Sequence, residues 1–212
     1  IKSRIMPDIK SKYPTVSVVY EGQNREASKT MNSMKAAGPV ILILIYMVIA
    51  FTFRSYSQPL LLMIMIPFSL IGVVFGHFVH GFQINILSWL GIIALIGIMV
   101  NDGLVLIGKF NSYLREGMLF NEALVQAGKS RFRAIFLTSL TTVAGLAPLI
   151  FETSRQAQFL IPMAISISYG IGVATFLTLL MLPLMLSLGN TIKVYQTWLF
   201  TGKKPEKHEV ER

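Results

Sequence analysis

The sequence predicts an all-α polytopic membrane protein: five transmembrane helices preceded by the end of an α/β domain. Three observations carry this. Of 212 residues, 53% are hydrophobic and only 14% charged, about half the charged share of an ordinary soluble domain. The apolar residues gather in long uncharged blocks that outrun any buried helix or strand. The basic residues, 19 against 10 acidic, cluster at the ends of those blocks.

A hydrocarbon core about 30 Å thick needs ~20 apolar residues of helix. Five apolar blocks, uncharged but for Asp102 in the third, approach or exceed that length: 36–53, 59–79, 84–107, 134–151 and 159–188. Backbone polar groups cannot stay unpaired in lipid, and strand-type alternation is absent, so each block is a helix. The last contains Pro162 and Pro183, which implies that its ends project beyond the hydrocarbon or that it tilts. The connections at Arg54 to Gln58 and at Gly81-Phe82-Gln83 are too short for anything but antiparallel hairpins.

Orientation follows from the charges. One side receives Arg54, Lys109, Arg115, Lys129, Arg131, Arg133, Lys193, Lys203, Lys204, Lys207 and Arg212; the short loops of the other receive only Arg155. This bias places the C-terminus in the cytoplasm. The net charge of +9 is then mostly a topology signal, and no nucleic-acid partner is needed to explain it. The absence of cysteine excludes a disulfide framework and a thiolate metal site.

Two pieces lie outside the spans. Thr15 to Tyr20 reads as a β-strand and Arg25 to Lys35 as a polar helix entering the first span, so residues 1–35 form the end of an α/β domain. A lone strand is not stable unpaired, and the chain is read as part of a longer protein. Around 119–130, Leu119, Ala123, Leu124 and Ala127 make an apolar stripe opposite Asn121, Glu122 and Gln126, the pattern of an interfacial helix. Residues 190–212 read as a cytoplasmic tail anchored by Trp198.

Between residues 55 and 108 the only formally charged side chain is Asp102. A carboxylate at membrane depth costs a few kcal/mol and marks a functional site by default. The bland alternatives are pairing with a single cation or snorkelling to the cytoplasmic edge, but Gly108 is ~9 Å away along the helix, a poor reach for a short side chain. Small residues surround it. Gly91, Ala94, Gly97, Asn101 and Gly108 make one stripe; Thr138, Thr141, Gly145 and Pro148 a second; Ser166, Gly170, Ala174 and Thr178 a third. Singly, such stripes signal helix packing, the reading given also to Gly72 and Gly76. Together with Asp102 they describe a polar seam able to bind a proton or cation. His77 and His80 read as interfacial, Arg131 and Arg133 as interface anchors or counter-charges, and Glu152 and Arg155 as outer-loop charges that pair with each other or with a soluble domain above. Nothing suggests an enzyme: there is no phosphate loop, activated nucleophile or metal-spaced cluster, and no cofactor is implied.

The segments Phe53-Arg54-Ser55-Tyr56-Ser57-Gln58-Pro59, Gly97-Ile98-Met99-Val100-Asn101-Asp102-Gly103-Leu104-Val105-Leu106-Ile107 and Arg131-Phe132-Arg133-Ala134-Ile135-Phe136-Leu137-Thr138-Ser139-Leu140 resemble the resistance-nodulation-division (RND) efflux permeases. Gly145-Leu146-Ala147-Pro148-Leu149 and Gln156-Ala157-Gln158-Phe159-Leu160-Ile161-Pro162-Met163-Ala164 are similar to the last two helices of their hydrophobe and amphiphile (acriflavine-resistance) branch. The resemblance covers roughly residues 13–189. It implies the C-terminal half-bundle of a twelve-helix inner-membrane permease preceded by the end of a periplasmic porter domain. It further implies a homotrimer that exports drugs, dyes, detergents or other amphiphiles by proton antiport, with a periplasmic adaptor and an outer-membrane channel as partners.

The family's proton relay places its Thr on Thr138 and its Arg on Arg131. Its Lys position falls on Asn101, which carries no charge, and the next position is Asp102. A carboxylate-to-lysine exchange cannot operate identically here. Asp102 becomes the group of this chain able to take up a proton, since like charges crowded in low dielectric cannot all ionise. Alternatives are a heavy-metal cation exporter of the same superfamily, served by methionine, and a non-transporting scaffold or protein-export accessory. The methionines, such as Met63, Met65, Met163 and Met185, are scattered.

Overall fold

The computed structural model describes residues 23–201. The strand expected at 15–20 and the tail beyond 201 lie outside these. Contacts divide the chain into two units, Ile1–Pro39 and Val40–Arg212. The described residues are helical, with no strand among them. In order they form α1 (Gln23–Phe53), α2 (Ser57–His80), α3 (Ile86–Arg115), α4 (Phe120–Ile150), α5 (Ala157–Phe176), a π-helical turn (Leu177–Met181) and α6 (Leu182–Thr201). Five helical stretches are long and apolar enough to cross a membrane.

The boundaries have local causes. The α1–α2 reversal takes three residues, and it forces Arg54 to φ = 52°, a left-handed conformation uncommon outside glycine. At the far end of α2, Gly81 adopts φ = 68° and its N–H closes on the carbonyls of His77 and Phe78, the usual glycine stop. Asn85 then caps α3. Its Oδ1 accepts from Leu87 N at 2.9 Å and Ser88 N at 3.0 Å, while Asn85 N donates to Ser88 Oγ at 3.2 Å, a reciprocal capping box. The 30 residues of α3 span about 45 Å, so its last turns, carrying Lys109 and Arg115, extend past the hydrocarbon.

Two helix extents differ from expectation. The stripe at 119–130 is no separate interfacial helix: α4 runs unbroken from Phe120 to Ile150. Phe120, Ala123 and Ala127 are buried, with Phe120 edge-on to Phe110 of α3. The apolar face therefore packs on α3, and nothing in the sequence breaks the helix before Ala134. The final block, expected at 159–188, continues to Thr201 and is interrupted by the π-turn. Pro183 has no N–H for the carbonyl one turn back, and its ring crowds that turn; the helix widens immediately before it.

Within the unit 40–212, α5 packs most extensively against α3 and α2, and glycines permit it. A Cβ on Gly72 would strike the carbonyl of Tyr169, and one on Gly76 would lie 2.6 Å from the Tyr169 ring. One on Gly91 would lie 2.7 Å from the carbonyl of Met163, and one on Gly170 would strike Leu95. His77 is not interfacial: it is 4% exposed, and its Nδ1–H donates to the carbonyl of Val73 while Nε2 accepts from Ser88 Oγ at 2.8 Å. His80 meets Tyr169 Oη at 3.0 Å. These contacts tie α2 to α3 and α5 at one end of the bundle. At the other end, Gln58 and Asn111 exchange two amide hydrogen bonds, of 3.0 and 2.9 Å. Large apolar side chains such as Phe51, Ile71, Phe78, Leu137 and Leu184 remain exposed, as lipid-facing residues must.

Candidate functional site

The site is built where α3 and α4 face each other. Ala94, Gly97, Ile98, Asn101 and Asp102 from α3, and Thr138, Ser139 and Thr142 from α4, line one cavity of about 450 Å³. On α3 these positions fall at the i, i+3, i+4, i+7 and i+8 spacings of a single helical face. On α4 the pair Thr138 and Thr142 supplies the facing i, i+4 row. Asp102 is half-buried. Among the described residues, no donor or cation lies within bonding distance of its carboxylate.

The hydroxyls are oriented by their own helix. Thr138 Oγ1 donates to the carbonyls of Ala134 at 2.7 Å and Ile135 at 3.0 Å, and Thr142 Oγ1 donates to that of Thr138 at 2.8 Å. Ser139 Oγ donates to Ile135 O at 2.9 Å and so accepts from Thr175 Oγ1 of α5. With their protons committed to backbone, Thr138 and Thr142 can act toward the cavity only as acceptors. The lining is a carboxylate, an amide and a set of acceptors, with no fixed cation among them. Such a pocket accommodates a proton, a protonated water or a small cation, and offers no nucleophile with a base.

Of the sequence-predicted site residues, Asn101, Asp102, Thr138 and Gly97 come together in this cavity. Arg131 does not: it lies outside the lining, and its Nε is buried without a hydrogen-bond partner among the described residues. The packing stripe on α3 also departs from expectation. Gly91 meets α5, but a Cβ on Gly97 would meet nothing within 4 Å, and the same holds for Gly145 on α4. Gly97 keeps the cavity open where a helix contact was expected: α5 meets α3 at Gly91 and Leu95, and although Met99, Gly103 and Leu106 of the later turns are buried, the face carrying Gly97 and Asn101 is left open. Thr141, taken as part of the seam, is exposed and not in the lining, whereas Ser139 and Thr142 are. The i+4 step from Thr138 is the signal that identifies Thr142. Glu152 accepts from the backbone N–H of Thr153 and Ser154, both at 3.0 Å, and forms no ion pair with Arg155.

The sequence profile of the AcrB/AcrD/AcrF family matches residues 3–189. The chain therefore belongs to that family of RND permeases. Among individual relatives it is similar to the swarming motility protein SwrC of Bacillus subtilis (strain 168), 29% identical over 171 residues that make up 80% of this chain and 16% of SwrC. It is similar also to the cobalt-zinc-cadmium resistance protein CzcA of Cupriavidus metallidurans, 28% identical over 82% of this chain and 16% of CzcA. The chain thus spans about a sixth of the length of these relatives. Among solved structures, a heavy metal efflux pump superimposes with a TM-score of 0.71 at 24% identity, over 90% of this chain and 19% of that one. At that identity the match speaks for the fold.

Proposed function

We propose that this chain is the C-terminal membrane part of a proton-driven export permease, and that Asp102 takes up and releases the coupling proton. One observation carries the reading: the only formally charged side chain between residues 55 and 108 opens into the same cavity as Asn101 and Thr138. An ionised carboxylate at membrane depth is costly and a protonated one is not, so the proton changes which helix arrangement is stable. The transmembrane potential provides about 2.3 kcal/mol per charge per 100 mV, sufficient to bias such a two-state element. In this reading Asn101 and Thr138 orient the carboxyl, and Arg131 acts from below the cavity.

The uncovered face of α3 at Gly97 and Asn101 is where the remainder of the permease would complete the relay. Family membership supports a multi-pass protein of the bacterial inner membrane. The charge bias supports a cytoplasmic C-terminus, and the family's habit supports a homotrimer joined to an adaptor and an outer-membrane channel. The substrate reading from the sequence is drugs, dyes, detergents or other amphiphiles. A second reading, export of heavy-metal cations, is favoured by the similarity to CzcA and to the heavy metal efflux pump.

Susceptibility of cells expressing the full-length protein separates these. An amphiphile exporter raises resistance to dyes and detergents; a metal exporter raises it to cobalt, zinc or cadmium. In either case Asp102→Ala and Asp102→Asn abolish the gain while the protein still reaches the membrane. Retained resistance in both variants would favour a scaffold or protein-export accessory.

A further inference from the structure

The α1–α2 turn carries a second concavity, remote in sequence from Asp102. It encloses about 600 Å³ and is lined by Tyr46, Met47, Ala50, Phe51, Arg54 and Tyr56. We propose that it binds one anionic phospholipid, with the phosphate on Arg54 and the glycerol and upper acyl chain against Tyr46, Phe51 and Tyr56.

The recess faces outward. Met47 and Phe51 stand two residues on either side of Ile49, which is 2% exposed, and two residues of helix turn a side chain to the opposite face. Ala50 forms a small floor between larger neighbours. Arg54 is the only cation between Lys35 and Lys109 and closes an apolar span, which sets it at headgroup level. Among the described residues, no carboxylate pairs with it. The site is also held in shape. Arg54 occupies its left-handed conformation because the chain reverses there, and Tyr46 Oη donates to the carbonyl of Tyr56 at 3.1 Å, pinning Tyr56 against α1.

A planar guanidinium fork matches phosphate oxygens bidentately, and aromatic rings with polar tips suit the interface. Three aromatic rings and Met47 line the remainder. Free phosphate cannot use those apolar walls, whereas a lipid uses both halves of the site.

The full-length protein, extracted from membranes of mixed phosphatidylglycerol and phosphatidylcholine, is examined by native mass spectrometry. Wild type is expected to retain one phosphatidylglycerol per protomer in preference to phosphatidylcholine, and excess inorganic phosphate should not displace it. Arg54→Gln should weaken retention about fivefold, the value of one cation at the headgroup level. Tyr56→Ala should weaken it as well, and Arg54→Lys should keep most of it. Arg133→Gln, an exposed cation outside the recess, should leave that lipid in place. Unchanged retention in Arg54→Gln, equal loss in Arg133→Gln, or displacement by phosphate would each overturn the proposal. The readout involves no export, so it fails or succeeds independently of the role given to Asp102.

Discussion

At the scale of single residues, the same amino acid has opposite consequences at different places. Gly72 lets the carbonyl of Tyr169 approach α2 so closely that a Cβ has no room, and a backbone atom cannot step aside as a flexible side chain can. Gly72→Ala is therefore expected to destabilise the full-length protein by about 1–3 kcal/mol, read as a lowered Tm in detergent. Gly172 is exposed and a Cβ there would meet nothing within 4 Å. Gly172→Ala should cost nothing, and gain up to ~1 kcal/mol from helix propensity. Small-residue spacing marks both kinds of position identically, which is why Gly97 and Gly145 read as packing residues in the sequence and stand open in the structure. Asp102 was legible because a charge has no inexpensive place in a hydrocarbon span. The histidines were not: whether His77 faces lipid, water or Ser88 depends on how α2 and α3 cross, and no local pattern encodes that.

At the scale of elements, the spans were legible because length and apolarity are set by the bilayer. Their ends were less so, since a helix stops where its backbone groups find other partners. The continuation of α4 through Phe120 follows from the absence of any breaker before Ala134, and α6 runs on to Thr201. The π-turn was not legible: Pro183 was read as a sign of projection or tilt, and a chain has several ways to accommodate a proline. Two element-level predictions follow from hydrogen bonds. Asn85→Ala removes the acceptor that satisfies two N–H groups of α3, and should cost about 1 kcal/mol in equilibrium unfolding. Asn111→Ala removes a two-bond amide exchange with Gln58 in a largely buried setting. A loss of about 1–3 kcal/mol is expected, measured as earlier unfolding on a denaturant titration. An unchanged midpoint for Asn111→Ala would mean that this pair does not hold α2 against α3.

At the scale of the whole molecule, the five helices leave one face of α3 uncovered at the level of Asp102, and the acceptor-lined cavity sits there. In the proposed reading, that open face is where the rest of the permease packs. Asn101, where the resemblance in the sequence places a lysine, carries no charge. Asn101→Lys is expected to place a cation beside Asp102 and to hold the carboxylate ionised, lowering export at neutral external pH more than in acid. The pH dependence of transport checks this. The most direct test of the central claim is proton movement itself. The full-length protein is reconstituted in vesicles with an imposed pH gradient, and substrate-dependent proton flux is followed with an internal pH-sensitive dye. Wild type should couple flux to substrate, and Asp102→Asn should abolish it while the purified variant keeps its oligomeric state and Tm. Undiminished substrate-coupled proton flux in Asp102→Asn would contradict it.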